Sequence, residues 1–259
     1  MTHPAQWDLL GRPQLESPSE LFHENSKVVP SRSGAHISPQ SLKAMTAGYK
    51  TYESSDSVPL PTPVEELSMP LGGAMRGRRS ARAFTGAPVD AMDLSALLFY
   101  AYGQPDPDDL RRLTPSGGGL FPLEVYLAVM QGGDLGRGLY HYDVRGHALE
   151  RIAHAGPVER LQDAVFVDGM VSTAGAVVAI SAVFGRTKLK YGERGYRFAL
   201  MEAGHVAQNV SLAAVALGLG ACPIGGFYDD LVNHVLDVDG VDEAALYMVS
   251  VGTPSPGGG

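Results

Sequence analysis

Tyr140-His141-Tyr142-Asp143-Val144-Arg145-Gly146-His147-Ala148-Leu149-Glu150-Arg151-Ile152 is the stretch that decides the fold class. Two short runs, Tyr140 to Tyr142 and Ala148 to Ile152, flank Asp143-Val144-Arg145-Gly146, whose Gly suggests a hairpin turn. A hairpin joins antiparallel neighbours, so it argues against a purely parallel sheet even though helix and strand patterns alternate around it. Leu123 to Met130, rich in Val, Tyr and Leu, reads as a strand, with Pro122 tolerable at its edge. Gly175 to Phe184 is a nearly continuous apolar run, consistent with a strand covered on both faces. Leu246 to Val251 is a last strand. Ala91 to Ala101 places Leu94, Leu97, Leu98 and Ala101 on one helical face, and Val158 to Phe166 forms a short amphipathic helix. Arg197 to Leu217 is the longest helix, apolar nearly all round and therefore buried or at a subunit interface, with Gly218 and Gly220 ending it. The expected architecture is α+β, one domain plus an arm.

The chain of 259 residues is 44% hydrophobic, enough for a well-buried core in one large domain or two small ones. Its 20 Lys+Arg against 28 Asp+Glu leave a net charge of −8, which gives no reason to expect a nucleic-acid or anionic-membrane surface. One cysteine excludes an internal disulfide framework and a cysteine-rich zinc site. Neither a secretory signal nor a bilayer-spanning run is visible, so a cytoplasmic location is expected. The first seventy residues are rich in Ser and Pro, as in Ser17-Pro18-Ser19 and Leu60-Pro61-Thr62-Pro63. They also carry Trp7, Leu21, Phe22, Tyr49 and Tyr52, which a solvated tail rarely needs. Residues 1–70 therefore read as an extended arm wrapping the body and anchored by Trp7, residues 71–254 as the domain, and 255–259 as a flexible tail.

No Walker A motif, dinucleotide-binding glycine fingerprint, His-Glu-x-x-His pair or nucleophile elbow occurs, and the eight histidines lack metal-ligand spacing. Four clusters remain. Arg78-Arg79-Ser80-Ala81-Arg82 gathers three guanidiniums and a hydroxyl, a set suited to bidentate phosphate contacts, though taken alone such a cluster is more often a solvated surface. Pro115-Ser116-Gly117-Gly118-Gly119, just before a strand, lets backbone donors approach a flat ligand closely; the plainer reading is a flexible loop. Cys222-Pro223-Ile224-Gly225-Gly226 follows the long helix and is otherwise a helix cap with a turn. Lys188 to Arg197 interleaves charge with aromatics, and its plain reading is a loop with Lys190 paired to Glu193.

Taken in order, Arg-Arg-Ser-x-Arg-x-Phe, Pro-Ser-Gly-Gly-Gly-Leu-Phe-Pro-Leu-Glu, Lys-Tyr-Gly-x-Arg-Gly-Tyr-Arg and Glu-x-Gly-His-x-x-Gln-Asn resemble the nitroreductase-like flavoproteins, and more closely their SagB-type dehydrogenase branch. The resemblance covers about Leu71 to Pro254, and Phe22-His23-Glu24-Asn25-Ser26-Lys27 is similar to a short signature in the arm of that branch. It implies a nitroreductase-like α+β fold with a mostly antiparallel sheet flanked by helices. It implies a homodimer that holds FMN at the subunit interface, with the long helix forming much of the dimer core and carrying Glu202, His205, Gln208 and Asn209 there. On the same resemblance Arg78, Arg79, Ser80 and Arg82 would hold the FMN phosphate and ribityl chain. Pro115, Ser116, Gly117 and Gly118 would reach the isoalloxazine from the other subunit, and Ile224, Gly225 and Gly226 would cover the ring near N5. Many relatives carry a basic residue beyond the last strand; none follows Val251-Gly252-Thr253-Pro254 here, and the three arginines near position 80 already balance a phosphate of about −2 charge.

The branch oxidises thiazolines and oxazolines to azoles, and the resemblance assigns the proton transfer to Lys190 and Tyr191. Free Tyr and Lys titrate near pH ~10 and ~10.4, and a neighbouring ammonium or burial would bring either toward a working value. Neighbours in a helix diverge by about 100°, so both side chains would reach one site only if the segment is irregular, which Gly192 and Gly195 would allow. The expectation is an FMN-dependent azoline dehydrogenase using dioxygen, standalone and without a leader-binding domain, acting on a peptide or peptidyl substrate beside a cyclodehydratase or nonribosomal synthetase. An NAD(P)H-dependent nitroreductase and a non-catalytic FMN-binding partner are the alternatives. Cys222 is expected to be a packed thiol and His205 a hydrogen-bonded core or interface residue.

Overall fold

Alternation within the strands sets the layers. In β2 (Leu123–Val129), Val125, Leu127 and Val129 point to one face and Tyr126 and Ala128 to the other, and every residue of the strand is buried. The computed structural model describes residues 17–28, 49–52, 55–106, 108–167 and 169–256; Trp7 and the last three glycines lie outside the described residues. Beside β2 lie β1 (Ser57–Pro59), β3 (Gly138–Asp143), β4 (Ala148–His154), β5 (Ala176–Val183), β6 (Gly220–Ile224) and β7 (Glu243–Gly252), in a single seven-stranded sheet of order β1-β4-β3-β2-β5-β7-β6. Every ladder is antiparallel. The hairpin forms where expected: Asp143 pairs with Ala148, and the Arg145 N–H donates to Asp143 Oδ1 at 3.0 Å. A Cβ on Gly146 would meet Asp143 Oδ2, so a side chain there would have to displace the carboxylate that holds the turn.

One sheet face packs on α3 (Ala91–Tyr102) and α6 (Arg194–Ala216), through Leu94, Leu97, Leu98, Val206 and Val210. The opposite face packs on α4 (Ala155–Glu159) and α7 (Asp229–Leu236), through Val158, Val232 and Val235. The remaining helices are α1 (Pro18–Asn25), α2 (Leu71–Gly77) and α5 (Gly185–Tyr191). Among the described residues no helix is long and apolar enough to cross a membrane.

Three boundaries depart from expectation. The helix expected over Val158 to Phe166 ends at Glu159, followed by a single tight turn at Arg160–Gln162. The long helix starts at Arg194, one turn early, and carries one exposed stripe of Leu200, Met201, Gly204, His205 and Gln208. The turn expected at Cys222 to Gly226 is in part the edge strand β6, where Pro223 is tolerated because an edge position leaves one side unpaired.

The stretch read as an arm supplies structure to the body. β1 pairs with β4, Leu60 joins the core, and the Tyr52 N–H donates to Glu150 Oε1 at 3.1 Å. That glutamate belongs to a buried charged row across three strands: His141 meets Glu150 Oε2 through Nδ1 at 2.7 Å and Glu124 Oε2 through Nε2 at 2.9 Å, and Arg186 of α5 meets Glu124 Oε1 at 2.5 Å. Burial alone would lower the His141 pKa, but the two carboxylates outweigh it and hold the imidazole above its ordinary value. A raised folded-state pKa contributes stability that is fully present below about pH 6.5 and is lost as pH rises through the folded-state value. His141→Ala is expected to cost about 3–5 kcal/mol in denaturant unfolding, because it strands a buried carboxylate pair. The wild type should also lose stability as pH rises above about 6.5, and the variant should not show that loss.

Candidate active site

Gly117–Gly119 form a tight turn just before β2, and Gly118 takes φ 69°, a left-handed conformation that glycine adopts without a Cβ penalty. The turn runs into the end of α5 and the start of α6. A Cβ built on Gly118 would lie 2.5 Å from Tyr191 Oη and 2.7 Å from Lys190 Nζ, so both polar tips converge on bare backbone. The segment carrying them is helical through Tyr191 and ends at Gly192, which takes φ 56°. Irregularity is therefore not what brings the two together. They are the last residues of a helix, their side chains are long, and the glycine turn lies against both. Lys190 Nζ stands 5.0 Å from the centre of the Tyr191 ring, which packs edge-on against Phe198 at 4.9 Å. The Lys190–Glu193 ion pair of the plainer loop reading does not form among the described residues; Glu193 pairs with Lys188 at 3.2 Å.

Behind the turn stands Glu202, 3% exposed, on α6. Its Oε1 accepts the Gly117 N–H at 2.9 Å, while Oε2 is buried with no hydrogen-bond partner among the described residues. Burial raises the carboxyl's pKa above the ordinary range, against the opposing pull of the Gly117 N–H and the Ser116 hydroxyl. Ser116 Oγ accepts the Phe121 N–H at 2.8 Å, and Asn209 Nδ2 donates to Thr114 Oγ1 at 3.1 Å. Glu202 and Asn209, expected in a dimer core, thus hold their own chain's loop. His205 and Gln208 face outward. Arg112 completes the support, its guanidinium 4.4 Å from the Tyr102 ring and 4.8 Å from Phe121, with Nε and Nη1 unpaired.

A second group gathers along β6. Ser80 bridges to Ala221 and the Ala81 N–H donates to the Ala221 carbonyl at 3.0 Å, so the arginine-rich segment lies along the sheet edge. A Cβ on Gly220 would sit 2.7 Å from the Ala81 Cβ, which keeps that approach close. Arg78 is half-buried and Arg79 and Arg82 are exposed, and none of the three forms an ion pair among the described residues. Cys222 is a buried thiol whose pKa burial raises, with Arg82 and Ser80 acting against that shift. Gly225 and Gly226 follow at the strand's end, their faces flanked by Tyr247 and Phe166. The three guanidiniums without ion pairs and the exposed glycine backbone fit a phosphorylated planar cofactor, with charge at one end and flat backbone at the other.

The two groups do not meet within the described chain. β2, which the glycine turn precedes, and β6 are separated by β5 and β7, about 14 Å at ordinary strand spacing. A cavity of about 810 Å³ between α5, α6 and α7 is lined by none of the expected site residues.

An antiparallel sheet between helical layers, edged by arginines without ion pairs and ending in exposed glycine backbone, is the frame on which the comparisons with known proteins bear. The chain belongs to the nitroreductase family, whose model matches residues 75–253. It is 35% identical over 189 residues to MJ1384 of Methanocaldococcus jannaschii, a protein named for the same family, covering 73% of this chain and 92% of that one. It is 32% identical over 161 residues to the microcin B17-processing protein McbC of Escherichia coli, covering 56% of each. A solved structure from Anabaena variabilis, also named for the family, superposes with a TM-score of 0.74 at 28% identity, covering 95% of this chain and 49% of that one.

Sequence reasoning missed the work of Glu202, Arg112 and Phe198. A carboxylate within an otherwise apolar helical stripe was the signal for the first; the other two are set by tertiary contacts alone. Because the raised carboxyl pKa penalises the folded state once the unfolded group ionises, above about pH 4.5, Glu202→Gln should relieve the penalty while keeping an acceptor for Gly117. Thermal unfolding should show the variant more stable than wild type at pH 8, with the gap closing at pH 4.

Proposed function

We propose that this protein is an FMN-dependent dehydrogenase of the SagB type that oxidises thiazoline or oxazoline rings to azoles in a peptide or peptidyl substrate, with dioxygen as the terminal electron acceptor. The single observation carrying the reading is the convergence of Lys190 Nζ and Tyr191 Oη on the glycine turn at Gly118. The similarity to a protein named for microcin B17 processing supports the substrate class.

The reaction breaks two C–H bonds of the ring and forms one C=C bond. A proton leaves the carbon α to the carbonyl, and a hydride leaves the neighbouring carbon. Bound FMN would supply the acceptor for that hydride and pass the two electrons on to dioxygen. In this reading Tyr191 acts as the phenolate, its charge balanced by the Lys190 ammonium beside the same point, and Oη takes the proton to become the neutral phenol. Glu202 holds the turn through Gly117, which keeps the backbone at Gly118 free to accept a flat ring. Arg78, Arg79, Ser80 and Arg82 would hold the phosphate and ribityl chain, and Ile224, Gly225 and Gly226 would lie against the isoalloxazine. Pro115 through Gly118 belong to the neighbouring subunit's half of the site. The separation of the two groups within one chain and the exposed stripe of Leu200, Met201, Gly204 and Gln208 on α6 support a homodimer.

Purified protein and a thiazoline-bearing peptide under air should give a product two hydrogens lighter by mass. Lys190→Ala and Tyr191→Phe should each slow this by at least about 10²-fold with flavin content unchanged. Azole formation untouched by both changes would overturn the assignment, as would rapid NADPH oxidation with no azole, which is the nitroreductase alternative. Separately, replacing Arg79 and Arg82 together by Ala should lower the flavin-to-protein ratio and raise the FMN Kd at least about tenfold, since each phosphate contact is charge-assisted.

A further inference from the structure

The end of α1 is bound to the start of α6 by one arginine. Arg197 Nε donates to Ser26 Oγ at 2.7 Å and Nη2 donates to the His23 carbonyl at 2.5 Å, while its guanidinium lies 5.5 Å from the Phe22 ring centre. Phe22 in turn meets Tyr196 edge-on at 5.4 Å, and Ser26 is 2% exposed. The short signature Phe22 to Lys27 is thereby fixed beside the α5–α6 turn.

Between them lies a cavity of about 240 Å³, with Asn25, Ser26 and Lys27 on one side and Tyr191, Glu193 and Arg194 on the other. It is smaller than the ~300–1,000 Å³ of a complete ligand site, so it suits part of a ligand. Tyr191 is the wall it shares with the Lys190–Tyr191–Gly118 junction.

Most of the charges around the cavity are already committed. Lys27 pairs with Glu24 at 2.5 Å and Glu193 with Lys188 at 3.2 Å. Arg194 forms no ion pair among the described residues, and its Nε is buried without a hydrogen-bond partner. No carboxylate among the described residues balances the charge of Arg194, so its guanidinium is available to an oxygen ligand. Asn25 supplies the complementary group: it is exposed, its Nδ2 donates to the Leu21 carbonyl at 2.8 Å, and its Oδ1 is open to a donor. One free donor and one free acceptor match the C=O and N–H of a peptide group. A carboxylate would satisfy Arg194 but offers nothing to Asn25 Oδ1.

Resting on the proposed azoline oxidation, we propose that this cavity is the subsite for the acyl arm of the ring. Arg194 receives the carbonyl oxygen attached to the carbon that loses its proton, and Asn25 receives the N–H of the residue that follows. The chemistry requires these neighbours. The carbonyl carbon is bonded directly to the deprotonated carbon, so whatever holds its oxygen must stand beside the residue that takes the proton, and Tyr191 lies in that wall. Charge gathers on this oxygen as the proton departs, so a fixed donor there favours the reaction more than it favours ground-state binding. The substrate class that follows is an azoline inside a peptide, with an amide at its carboxyl side, in preference to one ending in a free acid.

Two measurements test the subsite. Calorimetry of holoprotein with a thiazole-4-carboxamide dipeptide, the product form, should show binding that Arg194→Met and Asn25→Ala each weaken at least tenfold and that Arg194→Lys partly restores. The free thiazole-4-carboxylic acid should bind wild type more weakly and be insensitive to Asn25→Ala. In turnover, the peptide-internal thiazoline should exceed the free acid at least tenfold in kcat/KM, and Asn25→Ala should erase that preference through KM. Equal product affinity in wild type, Arg194→Met and Asn25→Ala, each melting as wild type does, would overturn the subsite even if azoles form. Absence of azole formation by the wild type would overturn the functional reading, while an amide affinity dependent on Arg194 and Asn25 would still support the subsite.

Discussion

A side chain at Gly118 would have to push aside two polar tips and hold a left-handed backbone. Tyr191 Oη and Lys190 Nζ close on that point to within 2.5 and 2.7 Å of where a Cβ would be, and the φ of 69° is one that side chains resist. The rest of the region is arranged to keep this strip of backbone bare and fixed. Glu202 reaches from the long helix to the Gly117 N–H, Ser116 ties the Phe121 backbone, and Asn209 with Thr114 secures the loop's entry. A carboxylate buried to 3% exposure with one oxygen unpaired is a costly post, and it stands where the loop must not move.

The sheet explains why one chain carries two partial constellations. The arginine segment attaches to the edge strand β6 and the glycine turn to the central strand β2, with β5 and β7 between them. Strand order, not loop flexibility, sets that separation, and a second copy supplying the missing half is the reading it favours. The arm reaches the same region from outside: Arg197 fastens α1 beside Tyr191, while β1 extends the sheet past β4. Residues that read as an appendage in the sequence therefore share walls with the proposed chemistry.

The hairpin, the apolar run of β5 and the leucine face of α3 were legible because periodicity and turn chemistry are local signals. β6 was not, because Gly220-Ala-Cys-Pro-Ile is short, contains proline, and becomes a strand only by pairing with β7 and accepting the Ser80–Ala81 segment. The order of motifs marked both constellations, yet their supports were invisible. Glu202 was expected in a dimer core, and only tertiary packing shows that it faces Gly117. The same holds for Lys190 and Tyr191. Helical spacing argued that they diverge, and it is the glycine turn wedged against both tips that makes one site of them.

Gly118→Ala is the most direct test of this account. The substitution adds one methyl group at a loop position, a change the fold should tolerate at roughly 1–2 kcal/mol. Turnover of a thiazoline peptide should fall by at least about 10²-fold while bound flavin and the subunit assembly stay as in wild type. A Gly118→Ala protein that binds flavin and forms azoles at the wild-type rate would contradict it.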